Sequence, residues 1–420
     1  FDGFEFQSFT SSTDTDVIFS YDADWGNADS HFPYVYDYFS ETFRDRKLFN
    51  QEFRAVSDSA NFLKDSFLEW VIGANYLELK ETNLKKDDGL YGDTSDPYGP
   101  YASASSSSSQ YKSSNFSVFG NLDYLLSASL KFSIGLRWED WEADYSDSLN
   151  ELFNPADKMS GGKISLIKSM TNETNIYASL AKGYKQGGFN LGLGRDANST
   201  NQNLAYDPEF LTNYELGINT KLLDSKINFN GVIFYSYRED QQVLISSQTD
   251  PSDPNTFSFL TQNAAEGVNH GLEINMDIDI RESLSAFLNL GMLKTEIKNW
   301  QSRQDLEGRA QAHAPEKSYA LGLNWAPTSD TYLAIDFTGK SSFYYSDSHN
   351  NKSKSYVLTN LNLGYVKNNW SYELWARNVF DEYYSVRGFY FGNEAPNFID
   401  TLYERHGDPR NIGFSIRYDF

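Results

Sequence analysis

The sequence predicts an all-β chain: a transmembrane, antiparallel, up-and-down β-barrel with about sixteen strands over residues 1–420. Three observations predict it. Apolar and polar residues alternate with a period of two along most of the chain, as in strands with one apolar face. Short and long connections follow one another in strict alternation. The last segment sets Phe414, Ile416, Tyr418 and Phe420 against Ser415, Arg417 and Asp419, and it stops on the apolar face.

The alternation is clearest in a few segments. Leu130, Phe132, Ile134, Leu136 and Trp138 alternate with Lys131, Ser133, Gly135, Arg137 and Glu139. Tyr214, Leu216 and Ile218 alternate with Glu215, Gly217 and Asn219. Leu272, Ile274, Met276, Ile278 and Ile280 alternate with Glu273, Asn275, Asp277 and Asp279, and a further series runs from Leu284 to Met292. Val357, Leu361, Leu363 and Tyr365 repeat the pattern. A water-soluble β-sandwich has the same period, so the connections decide more. Short ones fall at Ser127-Ala128, Thr171-Asn172-Glu173, Asp224-Ser225, Arg281-Glu282, Pro327-Thr328-Ser329 and Lys367-Asn368-Asn369, with a longer one over roughly 57–65. Between them lie polar, Gly- and Ser-rich stretches, expected as loops, at about 10–43, 81–113, 147–158, 188–209, 245–256, 299–313, 345–353 and 391–409.

All short turns then lie on one side and all long loops on the other. Outer-membrane barrels have this asymmetry, and a sandwich has no reason for it. Parity places the C-terminus on the short-turn, periplasmic side and the long loops outside the cell. Tyr124, Trp325, Tyr332, Tyr365 and Trp370 cluster at short turns, where an interfacial aromatic girdle belongs.

Composition agrees. Aromatics are 16% of the chain, which separates it from disordered acidic proteins. Mean hydropathy is −0.57 and no run of about 18 apolar residues exists, which excludes a transmembrane helix but not a barrel, where only alternate strand residues are apolar. Net charge is −23, from 58 acids and 35 bases, so nucleic acid is not expected as a partner. Cysteine is absent, which removes disulfides and thiolate metal sites.

Several stretches resemble the TonB-dependent outer-membrane receptor family. They are Ala181-Lys182-Gly183-Tyr184-Lys185-Gln186-Gly187-Gly188-Phe189-Asn190, then Asp207-Pro208-Glu209 followed by Asn213-Tyr214-Glu215-Leu216-Gly217, then Gly271-Leu272-Glu273, then Arg377-Asn378-Val379-Phe380-Asp381-Glu382-Tyr383-Tyr384, and Gly407-Asp408-Pro409-Arg410 before the final strand. They stand in the family's order. The resemblance implies a barrel of about 22 strands with a plugged lumen. Residues 1–420 are then the later part of that barrel, with the N-terminal plug and about six first strands missing. It implies an outer-membrane receptor and transporter for TonB-dependent active uptake of a scarce nutrient, foremost a ferric siderophore or similar iron chelate. Haem, cobalamin and oligosaccharides are the family's other substrate classes. The partners implied are outer-membrane lipid, the nutrient, the TonB complex through the missing region, and the barrel-assembly machinery. Phe414, Ile416, Tyr418 and Phe420 would be the assembly signal. The alternative is a passive porin closed at about sixteen strands.

Catalytic constellations are not expected, nor is a bound cofactor. His31, His270, His313, His349 and His406 show no metal-ligand spacing. Gly339-Lys340-Ser341 lacks the first glycine of a phosphate loop, because Ala334 stands there. Asp277 and Asp279 alternate with isoleucines and face a lumen more simply than they bind calcium. Scaffolded loops are the better place for binding. The candidate ligand-binding residues are Tyr98, Tyr101, Arg137, Tyr184, Lys185, Phe189, Tyr344, Tyr345, Arg377 and Phe391. Aromatic faces with hydrogen-bonding neighbours suit planar or sugar-like ligands. Acid-rich outer loops would repel a highly anionic chelate unless Arg137, Lys185, Arg238 and Arg377 offset them.

Overall fold

A computed structural model describes residues 3–24, 26–27, 30–57, 68–190, 205–248, 257–300, 303–392, 399 and 401–420, without the side chains of 245–248, 257–259, 264–265 and 391. The strands are β1 (Phe4–Asp22), β2 (Tyr34–Ser57), β3 (Leu68–Asp93), β4 (Tyr101–Ser127), β5 (Leu130–Asp147), β6 (Leu152–Phe153), β7 (Ala156–Ser169), β8 (Thr174–Lys185), β9 (Gly188–Phe189), β10 (Ala205–Tyr206) and β11 (Glu209–Leu222). They continue with β12 (Ile227–Gln248), β13 (Phe257–Arg281), β14 (Leu284–Lys298), β15 (Lys317–Thr328), β16 (Thr331–Lys340), β17 (Tyr356–Lys367), β18 (Trp370–Arg377), β19 (Ser385–Phe391), β20 (Thr401–His406) and β21 (Asn411–Tyr418).

One sheet holds seventeen of these strands. The two-residue β6 is a side branch on β5, and the other sixteen pair antiparallel in succession from β1 to β21. The short hairpins β9–β10 and β19–β20 stand apart as sheets of their own. The six shortest expected turns fall between β4 and β5, β7 and β8, β11 and β12, β13 and β14, β15 and β16, and β17 and β18. The connection expected near 57–65 lies largely outside the described residues. Asp224 and Asn368 take the left-handed conformation at such turns (φ 55° and 54°), which their short polar side chains tolerate.

Burial is inverted relative to a water-soluble sheet. On one face Ile164, Leu180, Leu216, Ile233, Leu363, Leu374 and Phe414 are exposed. On the other, Ser117, Ser165, Ser179 and Ser236 are buried. Ladder partners keep like with like: Trp70, Leu122, Ile134, Ile164, Leu180 and Tyr214 face one another in register across six strands. Leu333, Leu363, Leu374 and Phe414 do so further on. In water this arrangement would leave the apolar surface without a partner. In lipid it is the required one, because the apolar face meets hydrocarbon and the polar face lines the interior. We therefore call the two faces outer and inner.

Small residues let large ones lie flat on the inner face. Phe119 covers Gly73, Tyr177 covers Gly217, Phe234 covers Gly271, Tyr332 covers Gly364 and Trp375 covers Gly413, each a registered cross-strand pair. A side chain at Gly364 would overlap the Tyr332 ring. This corrects the expectation that Tyr332 belongs to the outer girdle. Its registered partner is Gly364, whereas Tyr365 and Leu363 share the outer face with Trp370 and Leu374. Closeness to a turn does not set the face; parity along the strand does. Trp370 and Tyr418, with ring centroids 4.8 Å apart and planes tilted by 54°, do pack together on the outer side near the short turns.

Two expected loops are mostly strand. In place of 10–43 and 81–113, only 23–33 and 94–100 separate long paired strands. The serine run Ser105–Ser109 pairs in register with Asp87–Asn83. β3 has 26 residues, about 85 Å at ~3.3 Å per residue, against an apolar band of about 25 Å. The excess stands in water on both faces, so no apolar alternation is needed there. Cross-strand charges take over: Arg46 Nε donates to Glu81 Oε2 at 2.8 Å, Arg44 Nε lies 3.3 Å from Glu81, and Lys112 Nζ lies 3.5 Å from Glu78. Among the described residues no ladder joins β1 to β21, so each keeps an unpaired edge.

Candidate ligand-binding site

Buried side chains gather at the long-loop end of the inner face in separate clusters. The first is built on β5. Glu139, 8% exposed, accepts hydrogen bonds from Asn115 Nδ2 at 2.5 Å, Arg137 Nε at 2.9 Å and the Tyr184 hydroxyl at 3.0 Å. Strict alternation would send Tyr184 outward with Leu180. Its ring instead packs on Trp141, Ala143 and Met159. The last β7–β8 ladder pair is Gly162 with Lys182, and β8 separates from β7 beyond it.

Above this hub lies an aromatic wall. Tyr111 packs both on the Trp141–Met159 cluster and on Tyr145 and Phe153. Phe153 and Phe189 stack at 4.7 Å with planes 5° apart, and Tyr145 lies 5.3 Å from Phe189. The Tyr145 hydroxyl donates to Asp147 Oδ2 at 3.1 Å. Asn190 closes the wall by a two-way clasp on the backbone of Thr261, at 2.8 and 2.7 Å.

The second cluster is Phe343, Tyr345 and Tyr356 with Leu358, Tyr384 and Leu402. The Tyr345 hydroxyl donates to Glu404 on β20, and burial together with that bond pushes it up to about 12. Tyr344 has Arg309 and Lys352 against its ring, 4.3 and 4.1 Å from the centroid. Arg309 binds the backbone of Ser346 and His349 and the side chains of Asp347 and Asn350 at 2.8–3.1 Å, holding that loop. Burial, and Arg387 nearby, lower the His313 imidazole.

Arg137, Tyr184 and Phe189 thus fall in one continuous region. Tyr344 and Tyr345 fall in another. Tyr98 and Tyr101 lie at the tip of the β3–β4 hairpin around Asp96, which accepts the Tyr98 backbone N–H at 2.9 Å and the Tyr101 hydroxyl at 2.8 Å. Those two bonds lower the Asp96 carboxyl. Lys185 is exposed, opposite Glu209 in register. Arg377 is exposed, 5.9 Å from the Trp375 ring. Phe391 ends β19, and its side chain lies outside the described ones. No described contact joins Tyr98, Tyr101, Lys185 or Arg377 to the two clusters.

Two sequence motifs turn out to be structural knots. Glu209, 7% exposed, binds Arg238 Nε at 2.7 Å and the Gln242 backbone N–H at 2.9 Å, where β12 and β13 slip register. Asn378, 4% exposed, donates to the carbonyls of Glu382 and Asp408 at 2.9 and 3.1 Å and accepts from the Glu382 N–H at 2.8 Å. Glu139 and Arg309 were missed in the sequence. The Arg137-x-Glu139 spacing, two residues apart on the polar face, was the available signal for Glu139.

Known proteins resemble this chain in sequence and in fold. The metal-pseudopaline receptor CntO of Pseudomonas aeruginosa is 22% identical over 265 residues, 61% of this chain and 33% of that protein. The probable TonB-dependent siderophore receptor PiuA of Acinetobacter baumannii is 26% identical over 160 residues, 36% of this chain and 20% of that protein. In fold, the ferric yersiniabactin uptake receptor FyuA of Yersinia pestis superposes with a TM-score of 0.73 at 17% identity, over 100% of this chain and 59% of that one. The match thus spans about a third of CntO and under two thirds of FyuA. The sequence model of the family described as "TonB dependent receptor-like, beta-barrel" matches residues 1–379, and the chain belongs to that family.

Proposed function

We propose that this chain is the larger part of the barrel of an outer-membrane receptor that takes up a metal chelate, foremost a ferric siderophore, by TonB-dependent active transport. The observation that carries this reading is the inverted sheet of a TonB-dependent receptor family member, with aromatic and ion-paired clusters at its long-loop mouth. The names of the relatives, receptors for metal-pseudopaline and ferric yersiniabactin, point to the same substrate class. The long loops face outward and bind the nutrient, and the C-terminus lies in the periplasm. The unpaired edges of β1 and β21 argue for further strands, since an open edge in lipid leaves backbone groups unsatisfied. About six more strands would close a barrel of about 22, with a plug domain in its lumen contacting TonB. The barrel holds the loops and encloses the path, and no bond is made or broken.

Two of the four positive charges expected to offset the acidic loops are spent in ion pairs inside. Arg137 is paired with Glu139, and Arg238 with Glu209. A neutral or cationic chelate therefore fits better than a multiply anionic one. Of the candidates, Arg137, Tyr184 and Phe189 would line one contact region and Tyr344 and Tyr345 a second, with Tyr98, Tyr101, Lys185, Arg377 and Phe391 around them.

The test is uptake. A host lacking the gene, complemented with the full-length protein, is grown under iron limitation with a panel of ferric chelates, haem and cobalamin. Uptake of one metal chelate that vanishes when TonB is removed is expected. Diffusion of small solutes at the same rate with and without TonB would instead indicate a porin. A separate expectation concerns assembly. Deleting Phe420 lowers the amount of barrel in the membrane while leaving the ligand affinity of the inserted fraction unchanged; normal barrel levels would remove the terminal strand from the assembly signal.

A further inference from the structure

The outer face is not uniformly covered by side chains. Between β3 and β8 it has a depression of about 1040 Å³. One ladder row there reads Ile72, Gly120, Leu136, Gly162, Lys182. A side chain is missing on each side of Leu136, which is left 65% exposed as a ridge. Trp138 bounds the depression toward the long loops, and Ile134 with Ile164 bounds it toward the short turns. At Gly162 a Cβ would meet the Gly135 carbonyl oxygen at 2.6 Å, whereas at Gly120 the nearest atom is the Val71 oxygen at 3.3 Å.

The trough ends at a lysine. Lys182 lines it, with Nζ 4.8 Å from the outer-face ring of Phe210. Two rows nearer the long loops, Lys158 is 71% exposed, with Asp140 3.7 Å from its Nζ. A chain of net charge −23 thus places two ammonium groups beside an apolar trough, Lys182 at the β8 end of its row and Lys158, with Asp140, beyond it toward the long loops. On a plain membrane-facing wall any lipid tail would serve. A trough one side chain deep on each side of Leu136 and flanked by ammonium groups suits the acyl chains of a lipid whose headgroup carries anionic phosphomonoesters.

We propose that this trough binds a lipid whose headgroup carries phosphomonoesters, in the leaflet on the long-loop side, with acyl chains on either side of the Leu136 ridge, beside Gly120 and Gly162, and a phosphate against Lys182 and Lys158. The proposal rests on the membrane-barrel reading, and its failure is separable from that reading's. The full-length protein is purified, its folding checked by heat-modifiable gel migration, and lipid binding followed by native mass spectrometry. The probes are lipid A carrying two phosphates and phosphatidylethanolamine. Preferential binding of lipid A is expected, weakened about fivefold by Lys182→Gln and also weakened by Gly120→Leu, which fills the trough. Equal retention of both lipids, or lipid A binding unchanged in both variants, would overturn the proposal. So would a second copy of the chain that occupies this face and is not displaced by lipid. If Gly120→Leu does not fold, Lys182→Gln decides alone. A protein that does not insert into vesicles at all would count against the membrane barrel itself.

Discussion

Ile233→Arg is expected to destabilise the inserted barrel by about 2–4 kcal/mol, the cost of an arginine near the bilayer midplane on a lipid-facing strand position. Ile233 is 51% exposed. In a water-soluble protein a change at such a position would usually stay within about 0.5 kcal/mol. Here the side chain faces the same way as its ladder partners Leu216 and Leu272, so the charge enters hydrocarbon. Val232→Arg, one residue earlier, is the control. Val232 pairs with Gly217 and Glu273 on the inner face, where an arginine finds water and a carboxylate. Urea titration of the full-length protein in lipid vesicles measures both. A large loss at 233 with a small one at 232 is the expected pair of results. Equal, small effects would mean that the exposed face meets water.

Asn378→Ala is expected to cost about 3 kcal/mol locally, from three partly buried hydrogen bonds lost and partner groups left unsatisfied. It should undock the segment that carries the β19–β20 hairpin. Asn378 also sits at φ 47°, a conformation that alanine adopts at a penalty. Beside it, the backbone N–H of Arg410 donates to Asp381 Oδ1 at 2.8 Å, so the turn ties the exit of β18 to the entry of β21. Asn378→Asp keeps the acceptor for the Glu382 N–H but turns an oxygen toward two carbonyls, and should also fail. Hydrogen exchange over Ser385–Phe391 and Thr401–His406 reads the effect. Protection should fall there first while the β11–β14 ladder keeps its protection. Unchanged exchange in the hairpin would show that Asn378 does not hold it.

The strand succession was legible because lipid imposes a strict code. Within the apolar band every second residue must be apolar, and β5, β11, β13 and β17 spell that out. Turns such as Lys367-Asn368-Asn369 were legible for a separate reason, since asparagine suits the left-handed corner. The code stops where the membrane stops. Residues 10–22 and 81–93 have water on both sides, so nothing in Thr10-Ser11-Ser12-Thr13 distinguishes a strand from a loop. Only the partner strand does, through the ladder and pairs such as Arg46 with Glu81. Tyr332 shows the limit of arguing from position, because its distance from the turn is right for the girdle and its parity is wrong. The candidate site was legible only in part. Arg137, Tyr184 and Phe189 meet in one region, but their organising group, Glu139, looks in sequence like any other acid on the polar face. Asp207-Pro208-Glu209 and Arg377-Asn378 read as family markers. Their physical roles as knots required the contacts of Glu209 and Asn378 across the fold.

The most direct test of the central claim, that the exposed apolar face lies in lipid, is residue-by-residue labelling along β11. The chain has no cysteine, so once any cysteine elsewhere in the full-length protein is replaced by serine, single cysteines at Asn213, Tyr214, Glu215, Leu216 and Ile218 can each carry a nitroxide spin label in the vesicle-inserted protein. Collision with lipid-soluble oxygen should be high at 214, 216 and 218 and low at 213 and 215, with the water-soluble quencher showing the reverse. Five positions quenched alike by the aqueous reagent would contradict the membrane barrel and every functional inference built on it.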